Sequence, residues 1–150
     1  METNRITSID GINNLWKVDN LYLAGQPSID SLNSIKDLGV SSIINLRGES
    51  EMDFSEEKAK SISLGLNYHQ FPIVVDGKLN KENCEKLSNM INDSDPHFIH
   101  CGSANRVGGW LITYLVQFRN FSFEDAVTIA QNNGLSNPAF IDQAKEIINS

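Results

Sequence analysis

The chain is short of cysteine. Only Cys84 and Cys101 occur in its 150 residues. Two cysteines make no disulfide framework, and this usage predicts a reducing compartment in which Cys101 stays a free thiol. Positive charge is scarce as well. The 12 Lys and Arg are outnumbered by 19 Asp and Glu, for a formal net charge of −7. That balance excludes a non-specific nucleic-acid binder, which needs clustered Lys and Arg to neutralise phosphates. Any anionic ligand must therefore be drawn in by a local field against the global one. Long hydrophobic runs are missing too. The longest, Val107–Val116, falls short of the ~20 residues a bilayer span needs and is interrupted by Thr113 and Tyr114. The polar stretch Met1–Val18 lacks the apolar centre of a signal peptide, so a cytoplasmic protein is expected, with no membrane partner. The histidines His69, His97 and His100 show no ligand spacing with the cysteines or with one another. Neither a metal nor an organic cofactor is expected.

What is present is the pattern of one α/β domain covering 1–150. Leu21–Ala24 reads as a strand. A helix capped by Ser28 follows, with Ile29, Leu32, Ile35 and Leu38 on one face and Gly39 as its stop. Val40–Leu46 is β-branched and apolar, as in a buried parallel strand. A charged helix is expected from about Asp53 to Leu64, then a strand over Asn67–Val74 and a turn at Val75–Lys78. Asn80 caps the next helix, whose Cys84, Leu87 and Ile91 form an apolar stripe. Strand His97–His100 leads to a small-residue loop and the apolar helix Val107–Phe118. Two more helices start at Ser122, with Asp125 in position to be capped, and at Asn137-Pro138. This alternation predicts a mostly parallel central sheet of about four strands flanked by helices.

Chemistry concentrates in Phe98-Ile99-His100-Cys101-Gly102-Ser103-Ala104-Asn105-Arg106. A thiol leaves a strand end, crosses residues small enough for the backbone to curl around an anion, and meets a helix N-terminus. Backbone N–H groups and the positive end of the helix dipole favour an anion there, and the thiolate form of Cys101. Arg106 adds a permanent charge whose fork grips two oxygens at once. Cys101 is thus the candidate nucleophile. Gly102, Ser103, Ala104, Asn105 and Arg106 are the candidate phosphate cradle. Asp76, after the third strand, is the candidate general acid, although Asp-Gly is also a common turn signal. Arg47 reads as a solvated loop residue or a partner for Glu49 or Glu51 ahead of added positive charge at the rim, His100 as a group that tunes the thiol or a satisfied core residue, and Cys84 as core. Gly108 and Gly109 are costly inside a helix and predict its close packing on the sheet.

Residues 20–138 resemble the cysteine-dependent phosphatases of the tyrosine and dual-specificity type. More closely, they resemble the bacterial tyrosine-phosphatase-like domain found alone or fused to β-lactamase-like hydrolases. The resemblance rests on Leu21-Tyr22-Leu23-Ala24-Gly25-Gln26-Pro27, Ile43-Ile44-Asn45-Leu46-Arg47, Phe71-Pro72-Ile73 and the run from His100 to Gly108. It implies a cysteine-phosphatase fold and hydrolysis of phosphate monoesters, phosphotyrosine among them, on a protein or small phosphoester. Cys101 would carry the phosphocysteine and Arg106 would bind the phosphoryl group. Four residues separate Cys101 from Arg106, one fewer than in the broad phosphatase pattern. That length is shared with rhodanese-type sulfurtransferases, so sulfur transfer through Cys101 is an alternative. A non-catalytic phosphate-binding module is another, because Ala104 replaces a mid-loop glycine and Val107 replaces the hydroxyl residue that assists loss of the thiolate. Alanine at position 104 disfavours a positive φ.

Overall fold

The structure, a computed structural model, describes residues 3–6, 9–12, 14–91 and 94–150, the side chains of residues 4–6 excepted. Part of the polar stretch Met1–Val18 therefore lies outside the described residues.

In chain order the elements are β1 (Thr3–Ile6), β2 (Leu15–Val18), β3 (Leu21–Ala24), α1 (Leu32–Asp37), β4 (Ser42–Asn45), α2 (Ser55–Ser63) and β5 (Asn67–Gln70). There follow β6 (Val74–Val75), β7 (Lys78–Leu79), α3 (Lys81–Met90), β8 (His97–His100), α4 (Asn105–Arg119), α5 (Phe123–Asn132) and α6 (Ala139–Ile148). The main sheet has six strands in the order β1-β2-β3-β8-β4-β5. The four expected strands pair in parallel, β3 with β8, β8 with β4 and β4 with β5. Two further strands, β1 and β2, add to the β3 edge antiparallel. Sequence reading leaves β2 unassigned within a stretch read only as polar, yet its Leu15, Trp16 and Val18 are all buried.

Alternation along the parallel strands builds two cores, one on each face of the sheet. Leu21, Leu23, Ile44 and Ile99 point toward α3, α4, α5 and α6. Tyr22, Ala24, Ile43 and Phe98 point the other way, where Leu32 and Ile35 of α1 cover them. Helix α4 is apolar nearly all round and is correspondingly buried, with Trp110, Leu111, Ile112 and Leu115 fully enclosed. Among its buried polar groups, Trp110 Nε1 donates to Ser88 Oγ of α3 at 3.0 Å and Thr113 Oγ1 donates to the Trp110 carbonyl at 2.7 Å.

Three sequence expectations need correction. Helix α1 begins at Leu32, because Ser28–Ser31 forms its own turn, with Ser31 Oγ donating to the Ser28 carbonyl at 2.7 Å. The strand expected over Asn67–Val74 stops at Gln70, since Pro72 has no N–H for the ladder. The chain then forms the β6–β7 hairpin, whose turn residues Asp76 and Gly77 both take positive φ, 52° and 80°. Both central residues in the left-handed region is the turn that matches strand twist. Finally, Gly108 and Gly109 do serve close packing, but not on the sheet. A Cβ at Gly108 would meet Leu135, ahead of α6, and one at Gly109 would meet Leu79 of β7 and Phe140 of α6.

Strand β8 lies between β3 and β4, so Cys101 leaves the middle of the parallel edge at its carboxyl end. Open α/β sheets bind ligands at that edge.

Candidate active site

Cys101 stays tied to the sheet through its backbone, its N–H donating to the Ala24 carbonyl at 3.2 Å. The next carbonyl, of Gly102, accepts from Gln26 N–H at 3.1 Å, which fastens the loop to the Gly25-Gln26-Pro27 segment after β3. The chain then doubles back. Ala104 takes φ 77°, becomes the N-cap of α4, and donates its N–H to Cys101 Sγ at 3.1 Å. The side chain does not prevent the left-handed conformation, contrary to the expectation from sequence. The strain is roughly 1–2 kcal/mol, and burial of the Ala104 methyl together with the bond to sulfur works against it.

Helix α4 starts at Asn105, two residues ahead of the expected Val107, and Ala104 offers no side-chain cap. The first-turn N–H groups are therefore left for an anion. Asn105 fixes this turn from outside. Its Oδ1 accepts from the N–H groups of Ser136 and Asn137 at 2.8 and 2.9 Å, and its Nδ2 donates to Ser103 Oγ at 3.2 Å. Gly102 and Ser103 are exposed, whereas none of Cys101 is exposed. The expected cradle residues, Gly102 to Arg106, thus share one tight turn closed over the sulfur.

Arg106 does not stand free. Its Nη1 and Nη2 hold the two carboxylate oxygens of Glu51 at 2.6 and 2.9 Å. The same carboxylate accepts from Arg47 Nε at 3.1 Å and from Gly48 N–H at 2.6 Å. The Arg106 bonds chiefly hold the Glu51 carboxyl down at about 2, against an upward push from burial, with Gly48 and Arg47 adding to the downward shift. Arg106 is pushed up, first by the Glu51 bonds and, with a smaller share, by the attraction of Cys101. Two guanidinium groups around one carboxylate leave a net positive charge beside the loop, the local field that an acidic protein requires to collect an anion. Of the alternatives its sequence left open, Arg47 is thus a partner of Glu51. It also donates to Gln26 Oε1 at 3.0 Å.

Beneath the loop lies a buried polar cluster. His100, fully enclosed, holds its Nε2 at 2.8 Å from Glu57 Oε2, itself only 2% exposed. Tyr68 Oη donates to the same oxygen at 2.7 Å, and Gln26 Nε2 donates to Oε1 at 2.6 Å. His100 Nδ1 lies 3.3 Å from the Cys101 carbonyl. Burial pushes the Glu57 carboxyl up, but the bonds from His100, Tyr68 and Gln26 outweigh it and leave the group below the ordinary carboxylate range.

Asp76 sits exposed at the tip of the β6–β7 hairpin, where its positive φ realises the turn-forming role. The hairpin follows the carboxyl end of β5, on the loop side of the sheet. Cys84 is core, 1% exposed, and burial pushes its thiol up to about 12. A cavity of about 290 Å³ borders the Glu51 loop, lined by Glu49, Met52, Phe54, Tyr68 and Gln70 among others.

Glu51 and Glu57 are the residues sequence reading misses. For Glu57 a signal exists: Phe54, Glu57 and Ser61 occupy the inward stripe of α2 at helical spacing. A carboxylate on that stripe must find donors inside the protein. Glu51 carries no such mark, being one of several acids in a polar loop.

No family model matches the chain, and no curated protein matches it. Solved structures do. A DUF442 protein of Shewanella putrefaciens CN-32 superposes with a TM-score of 0.75 at 20% identity, covering 94% of this chain and 95% of that one. TpbA of P. aeruginosa, solved as a cysteine-to-serine variant with phosphotyrosine, gives a TM-score of 0.74 at 15% identity over 96% of this chain and 86% of its own. The chain has the cysteine-phosphatase fold. The same fold relates it to PTPMT1, with a TM-score of 0.70 at 18% identity over 86% of this chain and 89% of that one. Within this fold, Cys101 directly follows the central strand β8 and Arg106 lies in the first turn of the buried helix α4.

Proposed function

We propose that this protein is a cysteine-dependent phosphatase acting on phosphate monoesters, phosphotyrosine among them. The observation that carries the reading is the hydrogen bond from Ala104 N–H to Cys101 Sγ at the N-terminus of α4, with Arg106 in the first turn of that helix. An N–H aimed at the sulfur stabilises a thiolate, and the uncapped helix start with Arg106 stabilises phosphoryl oxygens.

In the first step Cys101 Sγ attacks phosphorus in line, a P–S bond forms and the P–O ester bond breaks. The leaving oxygen takes a proton from Asp76, the proposed acid. In the second step water attacks phosphorus, Asp76 takes its proton, the P–S bond breaks and the thiolate returns. Glu51 is unsuited to the acid role, because its two arginine partners hold it ionised. Val107 has no hydroxyl to assist departure of the sulfur, so the second step is the slow one. Turnover of p-nitrophenyl phosphate should then begin with a burst of one equivalent. Cys101→Ser should remove turnover while leaving inorganic phosphate binding intact. Undiminished turnover in Cys101→Ser would overturn the mechanism.

A second reading is favoured by two specific features. Cys101 has no exposed surface, and the end of the Arg106 guanidinium is taken by Glu51. Both fit a module that binds phosphate-bearing groups without turnover. Tight phosphate binding by calorimetry, with no release of phosphate from a broad panel of phosphoesters, would select it.

A further inference from the structure

The hydrogen bonds around Glu57 fix the direction of every proton in the buried cluster. Arg47 N–H donates to Asn45 Oδ1 at 3.0 Å, which orients the Asn45 amide. Its Nδ2 then donates to Tyr68 Oη at 3.0 Å, leaving the Tyr68 proton for Glu57 Oε2. On the other side the Arg47 guanidinium, which can only donate, claims Gln26 Oε1 and thereby turns Gln26 Nε2 toward Glu57 Oε1. Tyr68 and Gln26 both donate to Glu57, whose carboxyl is held below the ordinary carboxylate range, so at neutral pH it is a carboxylate with no proton of its own to give. His100 Nε2 must then carry a hydrogen to meet it at 2.8 Å. The other ring nitrogen faces the Cys101 carbonyl at 3.3 Å. A carbonyl oxygen only accepts, so Nδ1 carries a hydrogen as well. Both nitrogens donate, which is the imidazolium form.

We propose that Glu57 is a positioning residue that, through His100, holds an imidazolium at the base of the Cys101 loop and so keeps the Cys101 sulfur anionic. The charge sits one residue from the nucleophile in a region with no exposed surface, where Coulomb interactions are little screened. The carboxylate has no second outlet, since its oxygens are taken by His100, Tyr68 and Gln26. Among the described residues, the other titratable and charged groups that the network brings against the pair are Tyr68 from β5, Arg47 from the loop after β4, and Cys101 itself. Burial pushes the Tyr68 hydroxyl well above its ordinary range and the Glu57 carboxylate adds to the shift, so Tyr68 stays a donor at neutral pH. The protonation of His100 and the thiolate of Cys101 are therefore the quantities that Glu57 sets.

The inference deepens the phosphatase reading and, as to catalysis, rests on it, but its test requires no turnover. Nitrogen-15 spectra of histidine-labelled protein at pH 7 should show both His100 ring nitrogens protonated. Absorbance of the thiolate at 240 nm, with Cys101→Ser as the blank, should show Cys101 ionised at the same pH. Glu57→Gln should return His100 to one proton and lower the ratio of thiolate to thiol about tenfold. Tyr68→Phe, which removes one donor and no charge at neutral pH, serves if Glu57→Gln does not fold, and should weaken both signals in the same direction. Where turnover is measurable, the acid limb of kcat/KM should move up by about one pH unit in Glu57→Gln. A neutral His100 in the native protein, or an unchanged thiolate in a folded Glu57→Gln, would overturn the proposal even with full phosphatase turnover. Imidazolium and thiolate both present, without turnover on any phosphoester, would uphold it and sink the phosphatase reading instead.

Discussion

Replacing Gly108 with alanine sets two opposed effects against each other, and the structure decides which wins. Taken as a helix position alone, glycine to alanine inside α4 should stabilise by about 1 kcal/mol. The new methyl, however, would lie 2.8 Å from Leu135 Cβ, 3.3 Å from its Cδ1 and 3.4 Å from its Cα. A Cβ and a Cα cannot rotate away, so the backbone before α6 or the helix itself has to shift. Overpacking of this kind costs about 1–3 kcal/mol, and contact with atoms at the main chain places it at the upper end. The net expectation is a loss of about 1–2 kcal/mol, or roughly 3–6 °C in Tm for a domain of this size. The site should feel it too, because Leu135 immediately precedes Ser136 and Asn137, whose N–H groups are clasped by Asn105 at the start of α4. Thermal unfolding followed by circular dichroism is the assay, with Gly109→Ala and Gly102→Ala alongside. At Gly109 the closest atom, at 2.8 Å, is the side-chain end of Leu79, which can turn aside, while Phe140 Cβ at 3.1 Å must give slightly, so the loss should be smaller than at Gly108, and at Gly102 an added Cβ meets open space. A rise in Tm for Gly108→Ala, or a larger loss at Gly102, would refute the packing argument.

Three other expectations can be checked independently. The depressed pKa of Glu51 means that its contribution to stability is complete above its ordinary value of 4.5 and disappears as the pH falls toward about 2. Because the cluster is partly exposed, that contribution is about 1 kcal/mol, so urea unfolding of Glu51→Gln should differ from the native protein at pH 7 and converge with it near pH 2; a constant gap across that range would contradict the assignment. Asn105→Ala removes two backbone caps and the tie to Ser103 and should cost about 1–2 kcal/mol, with weaker phosphate binding by calorimetry; unchanged binding would show that the clasp does not shape the loop. In Cys101→Ser the only thiol left is Cys84, pushed up to about 12 by burial, and it should not react with a disulfide reagent at pH 8 until guanidinium unfolds the chain. Reaction in the folded state would contradict its burial.

The elements around the site were legible where a local rule determines them. Asn80 and Ser122 read as caps and do accept from Asn83 and Asp125 N–H, at 2.9 and 3.1 Å. The β-branched runs read as parallel strands because burial on both faces leaves no polar alternation. Strand β2 was not legible, since it lies in a mostly polar stretch and its place is set by antiparallel pairing with β3. Nor was the left-handed Ala104, whose conformation goes against its own preference and is imposed by the strand and helix it joins.

By itself the sequence determined the candidate nucleophile, the cation and their spacing, because a strand, a small-residue turn and a helix start are local objects that bring Cys101 and Arg106 together. Only the tertiary structure decided what those two residues face. Glu51 reaches Arg106 across 55 positions and Glu57 reaches His100 across 43. A carboxylate in a polar loop, or on one face of a helix, has no partner until the sheet brings distant segments to the same edge.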